Sequence, residues 1–152
     1  MKKDTIKEYG IYFAKTANQQ VWKLLQKRSR TKDENEFMIH AAHASNYHWL
    51  EVGTKVHNQR GHWLLSRVYT VTKDAPNALK HAKKCLELTQ KNPKEMKDFD
   101  LAYAYEAVAR ANYLNRQSVY GNRYLDMARK AGEKIKNLED KVQFLNDLKF
   151  KN

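Results

Sequence analysis

Ala78-Leu79-Lys80-His81-Ala82-Lys83-Lys84-Cys85 places small residues at 78, 82 and 85, and Gly121, Leu125 and Ala128 repeat those offsets 43 positions later. Steps of four and three residues put each trio on one face of a helix. Recurrence at a fixed long offset marks stacked helical hairpins. Each hairpin in such a stack packs only on its neighbours and the stack leaves one extended concave face, so the pattern points to binding rather than to positioning a nucleophile.

The rest of the chain agrees with a helical reading. It has 152 residues, 41% of them hydrophobic and 11% aromatic, with two prolines and five glycines. That is enough apolar surface for one domain with a core, and few breakers interrupt it. The apolar positions recur with helical period and no stretch alternates long enough for a strand, so the expected fold is all-α.

Local signals divide the chain. A first helix is expected from Asp4 to Ser29. Thr31 and Glu34 form a capping box that starts a second, ending near Gly53. A third covers Val56 to Thr72. Asp74 caps a fourth, with Pro76 in the first turn, where its missing N–H costs nothing. Lys91-Asn92-Pro93-Lys94 breaks the pattern; a fifth helix begins at Asp98 or Asp100 and reaches Leu114, a sixth runs from Ser118 to Ile135, and Asn137 caps a seventh ending at Phe150. The expected organisation is one domain over 1–152, with antiparallel hairpins at about 4–53, 56–92 and 98–135 and a closing helix at 138–150.

These hairpins resemble tetratricopeptide repeats, whose 34-residue unit carries a large residue at position 4, Leu at 7, small residues at 8, 20 and 27, and aromatics at 11 and 24. A middle unit starting at Gln59 puts Leu65, Ser66, Tyr69, Ala78, Ala82 and Cys85 at 7, 8, 11, 20, 24 and 27. A last unit starting at Ala102 puts Tyr105, Val108, Ala109, Gly121, Leu125 and Ala128 at 4, 7, 8, 20, 24 and 27. A first unit starts at Asn18, anchored on the parallel between His40-Ala41 and His81-Ala82. The middle unit departs from the pattern with His62 and Ala82 at 4 and 24, and the period exceeds 34. The segment His40 to Trp49, followed by Arg60 and His62-Trp63, also resembles an uncharacterised bacterial group of this architecture.

The resemblance implies a right-handed superhelix with a groove lined by positions 2, 5, 9 and 12 of each unit. These are Arg60, Trp63, Arg67 and Thr70 in the middle unit, Tyr103, Glu106, Arg110 and Tyr113 in the last, and Trp22 in the first. Arginine binds carboxylates through a planar fork and Trp or Tyr adds flat apolar area, a mixture common at binding hot spots. The expected ligand is a protein or peptide segment with acidic or carboxylate character, and Arg60 and Arg67 are expected to be replaceable by Ala without loss of stability. The alternative is that Trp22 and Trp63 pack between hairpins while the arginines pair internally with Glu106 or Glu51.

Glu36, His40, His43, Tyr47 and Glu51 share one helical stripe. Glu36, His40 and His43 are candidate metal ligands, and with Tyr47 they offer acid–base chemistry. The stripe lacks the HExxH spacing, and Glu36 with His40 can simply satisfy each other. A metal-dependent or acid–base enzyme is therefore the second reading, with no residue assigned as catalytic and no cofactor implied.

The formal net charge is +12, and residues 1 to 30 carry eight Lys or Arg against two acids. Nucleic-acid binding through that basic first helix is the third reading, although no Arg-rich tract or aromatic-glycine RNA signature accompanies it. There is no phosphate-cradling glycine loop and no nucleophile elbow. Asp4, Lys7 and Glu8 interrupt the start before any apolar run, no window is apolar enough for a membrane span, and the one cysteine, Cys85, sits among apolar positions, so a cytoplasmic protein with a buried thiol is expected.

Overall fold

The structure, a computed structural model, describes residues 3–151. Residues 1, 2 and 152, included in the expected domain and, for Lys2, in the basic N-terminal set, lie outside the described residues. The helices are α1 (Lys3–Leu25), α2 (Lys32–Val52), α3 (Lys55–Val71), α4 (Ala75–Lys91), α5 (Asp98–Leu114), α6 (Ser118–Glu133) and α7 (Leu138–Asp147), followed by a 3₁₀ turn, Leu148–Lys151. The described residues contain no strand. None of their helices is long and apolar enough to cross a membrane.

Helix starts lie where the caps put them. Thr31 Oγ1 accepts the Glu34 N–H at 3.1 Å while the Thr31 N–H donates to Glu34 Oε2 at 3.0 Å. Asp74 Oδ1 accepts from Asn77 N–H at 3.1 Å, and Asn137 Oδ1 from Asp140 N–H at 2.9 Å. Each removes one of the unpaired donors at a helix N-terminus. The helix ends differ more from expectation. α1 stops at Leu25 instead of Ser29, and just beyond it the Arg30 guanidinium folds back and donates to the carbonyls of Leu24 and Lys27 at 3.1 and 3.0 Å. A basic side chain thereby satisfies a carbonyl of the last turn and one just past it.

The helices pack as sequential antiparallel pairs. Contact is most extensive within α1/α2, α3/α4 and α5/α6, then between α4 and α5 and between α2 and α3. The repeated trios explain the closeness: Ala78, Ala82 and Cys85, and Gly121, Leu125 and Ala128, are all buried. Ser66 Oγ donates to the Ala78 carbonyl at 2.9 Å, which ties α3 to the start of α4. Met38, Leu65, Val68 and Val108 fill the space between pairs. The repeat extends to the turns: Lys73 and Arg116, also 43 positions apart, both adopt left-handed backbone, with φ 66° and 58°. In each turn the next N–H reaches back to the helix, Asp74 to the Tyr69 carbonyl and Gln117 to the Asn112 carbonyl, both at 2.9 Å. This is the C-terminal cap geometry in which αL backbone lets the chain reverse.

α7 covers the exposed side of the last pair. Phe144 is fully buried and lies on Gly132, where a built Cβ would come within 2.4 Å of its ring. Its ring also meets Tyr103 edge-on at 4.9 Å. Phe144 is the one buried residue of this ten-residue helix, and burying a phenylalanine contributes roughly 1.5–3 kcal/mol.

Candidate functional site

The first helices of the pairs, α1, α3 and α5, lie side by side and with α7 enclose an open cavity of about 390 Å³. Four of the nine residues expected to line a groove stand around it: Trp22, Arg60, Trp63 and Tyr103. Trp22 from α1 and Trp63 from α3 stack with centroids 6.0 Å apart, and Tyr103 from α5 meets Trp63 edge-on at 5.6 Å. The aromatic wall therefore crosses all three pairs. Trp22 remains 41% exposed, so a large apolar face is open to solvent.

The charges in this wall are compensated from within. Arg60 donates from Nε and Nη2 to the two oxygens of Asp100 at 2.9 and 3.1 Å, and its guanidinium lies 5.1 Å from the Phe99 ring centre. Asp100 is 3% exposed and also accepts the Lys97 N–H at 2.8 Å. The expectation that Arg60 can be lost freely is thus corrected: its removal leaves a buried carboxylate without its cation.

Deeper in the groove, Glu106 is buried and pairs with Arg110, whose Nε donates at 2.5 Å; the Trp63 indole N–H points at the same carboxylate at 3.4 Å. Arg110 also lies over the Phe150 ring at 3.9 Å and donates to the Asp147 carbonyl at 3.3 Å. Tyr103 donates its hydroxyl to Asp147 Oδ2 at 2.7 Å, and its burial and this carboxylate raise its pKa. Arg67, Glu106 and Arg110 line a crevice with no room for a water molecule. Burial, then the nearby Arg110, lower the Arg67 pKa against the pull of Glu106 and Asp147. Arg60 and Arg110 are thus paired with Asp100 and Glu106, Arg67 lies buried near Glu106 and Asp147, and Glu51 lies exposed at the end of α2, outside this arrangement.

Two expected groove residues turn elsewhere. Thr70 donates its hydroxyl to the Ser66 carbonyl at 2.8 Å, and Tyr113 donates to Asn122 at 2.6 Å with its ring on Gly121. The sequence reading missed Asn18, Gln59, Leu64, Phe99, Asp100, Gln143 and Asp147, which complete the cavity. Asp100 and Phe99 stand in the first turn of α5, where only a helix start was legible. Gln143 and Asp147 come from the closing helix, which no repeat offset reaches.

The histidine stripe diverges. Glu36 and His40 meet only each other, 3.8 Å apart and about three-quarters exposed, while Tyr47 is exposed and contacts His48 edge-on at 5.4 Å. His43 points inward, its Nε2 sharing a 2.7 Å hydrogen bond with the Tyr69 hydroxyl. There it joins His81, whose Nδ1 shares a 2.9 Å bond with His62 Nδ1. His81 is pushed down to about 4 by burial and then by His62, His43 and Lys80. Burial lowers His62 and His43 too. Glu36, His40 and His43 therefore do not converge, and among the described residues no three His, Cys, Asp or Glu side chains are placed to hold one ion. Cys85 is buried, accepts from Gln59 Nε2 at 3.3 Å, and has its pKa raised by burial, which removes the thiolate a nucleophile requires.

The cations of α1 do not form one face either. Lys7, Lys15 and Lys23 are spaced by eight residues, so each is rotated about 80° from the last. Lys27 pairs with Glu34, and Arg30 is spent on the helix end.

Compared with known proteins, the chain matches no family model, no curated protein and no solved structure.

Proposed function

We propose that the chain is a tetratricopeptide-like helical-repeat protein that binds a protein or peptide segment in the groove of α1, α3 and α5. The observation that carries the reading is the stacked pair Trp22 and Trp63, continued by Tyr103, around an open cavity of about 390 Å³. That size lies in the range of specific binding pockets, and partly exposed aromatic rings of this kind anchor interfaces. The anchor is an apolar or aromatic side chain laid on the indoles. A carboxylate on the same segment meets Arg60, whose Nη1 is not used by Asp100. Because Arg110 is paired with Glu106 and Arg67 lies in a crevice closed to solvent, acidity in the ligand is a secondary determinant. The regular pairing of α1/α2, α3/α4 and α5/α6 and the matched turns at Lys73 and Arg116 support the superhelical reading.

Selection of a random peptide library on the purified chain tests this. The selected peptides share an apolar anchor and lose tenfold or more in affinity for the Trp22→Ala variant. Failure to select any peptide, or selection of peptides that bind wild type and Trp22→Ala equally, rejects the groove.

A further inference from the structure

A second and larger cleft, about 760 Å³, lies on another part of the molecule, where the end of α4, the connection 92–97, the start of α5 and the second half of α6 meet. It exists because α4 and α6 do not pack closely on one another, and Ala131 on α6 is too small to fill the gap. Met96, Leu101, Tyr105, Met127 and Ala131 line it, all partly exposed. The rim carries Lys97, Lys130 and Lys134. Lys97 and Lys134 enter no ion pair among the described residues, and Lys130 meets Asp126 at 2.8 Å in an exposed pair of little strength. The single acid of the rim, Asp98, is turned to the Lys136 N–H at 2.9 Å. The rim charges here are mostly positive, unlike the paired Arg60–Asp100 and Arg110–Glu106 of the aromatic groove.

An apolar floor edged by two unpaired ammonium groups and a third held only in an exposed pair suits one chemistry. We infer that this cleft binds a free single-chain amphiphile with an anionic head, the hydrocarbon on the methionine and leucine floor and the head among Lys97, Lys130 and Lys134. The volume falls within the range of small-molecule pockets, and the lysine stems extend the apolar walls while their ammonium groups stay in water. Removal of hydrocarbon from water then sets the affinity, and the head sets the orientation.

Calorimetric titration of the full chain with octanoate, decanoate and dodecanoate, all below their micellar concentrations, reads this directly. Affinity is expected to rise about threefold to fourfold per methylene. Dodecyl phosphate binds comparably if the head is read only as an anion, and more weakly than dodecanoate if the site reads a carboxylate; acetate does not bind. The Lys97→Gln, Lys130→Gln, Lys134→Gln triple variant, altered only at exposed positions, loses tenfold or more for dodecanoate and keeps its affinity for dodecanol. Amide shifts induced by dodecanoate centre on Leu101, Met127 and Ala131. Equal binding of dodecyltrimethylammonium, no dependence on chain length, an undiminished triple variant, shifts centred on the Trp22 and Trp63 indoles, or no binding of any amphiphile would each overturn the inference.

Discussion

Trp22 and Trp63 stack with planes inclined by 25° although they come from different helical pairs, α1 and α3. The same contact packs one pair on the next and builds the wall of the open cavity, so packing and binding surface are here one object. Trp63 is the more embedded member, since it also meets Tyr103 and directs its N–H at Glu106. Trp63→Ala is expected to lower the unfolding free energy by about 2–4 kcal/mol and Trp22→Ala by about 1 kcal/mol or less. In a double-mutant cycle the two rings couple by roughly 0.5–1.5 kcal/mol. Urea unfolding of the four proteins checks this, and additive effects would mean that the rings do not interact.

Arg60 and Asp100 form a clamp between α3 and α5 with one partner buried and the other at the surface. Arg60→Ala should destabilise the chain by about 1–3 kcal/mol, mainly by stranding the Asp100 carboxylate. Adding Asp100→Asn, which keeps an acceptor for the Lys97 N–H, should recover part of that loss. An unchanged melting temperature for Arg60→Ala would show that the pair contributes nothing.

Gly132 admits Phe144 because it lacks a side chain. Gly132→Ala forces the ring away and is expected to cost about 1–3 kcal/mol by overpacking. Combining it with Phe144→Leu should relieve part of the strain, and amide exchange should show α7 opening first. Undisturbed exchange of α7 in Gly132→Ala contradicts this packing.

The His43, His62, His81 and Tyr69 cluster is expected to make the protein acid-sensitive. His81 has an ordinary value of 6.5 when unfolded and about 4 when folded, so the unfolded chain binds the proton more readily between these limits. Above about pH 7 both forms are neutral and the group has no effect. Stability is therefore expected to fall as the pH drops from 6.5 towards 4, with His62 and His43 adding in the same direction. Melting temperatures of wild type and His81→Gln, measured from pH 7.5 to 4, should diverge in slope over that window. Parallel curves would remove His81 as the source.

Much of the local architecture was legible in the chain. Thr31, Asp74 and Asn137 announce their helices because a cap needs only residues three positions apart, whereas the Arg30 contacts at the end of α1 are ones a periodic pattern cannot show. The offset of 43 placed the buried small residues, since a repeated face is a repeated contact. The candidate site was legible in part. Trp22, Arg60, Trp63 and Tyr103 share a cavity, but Thr70 and Tyr113, which the same offset places beside them, turn to Ser66 and Asn122 instead.

Sequence by itself determined the all-α class, the helix starts and the faces that must be buried, because these follow from backbone periodicity and from bonds within one helical turn. Tertiary structure alone decided which charge meets which. Arg60 finds Asp100 forty positions away, Tyr103 finds Asp147 on the closing helix, and His43 leaves its own stripe for Tyr69. Such pairings depend on how far each helix is rotated and shifted against its neighbour, and a few ångströms of either exchange one partner for another while leaving the periodic pattern of the chain unchanged.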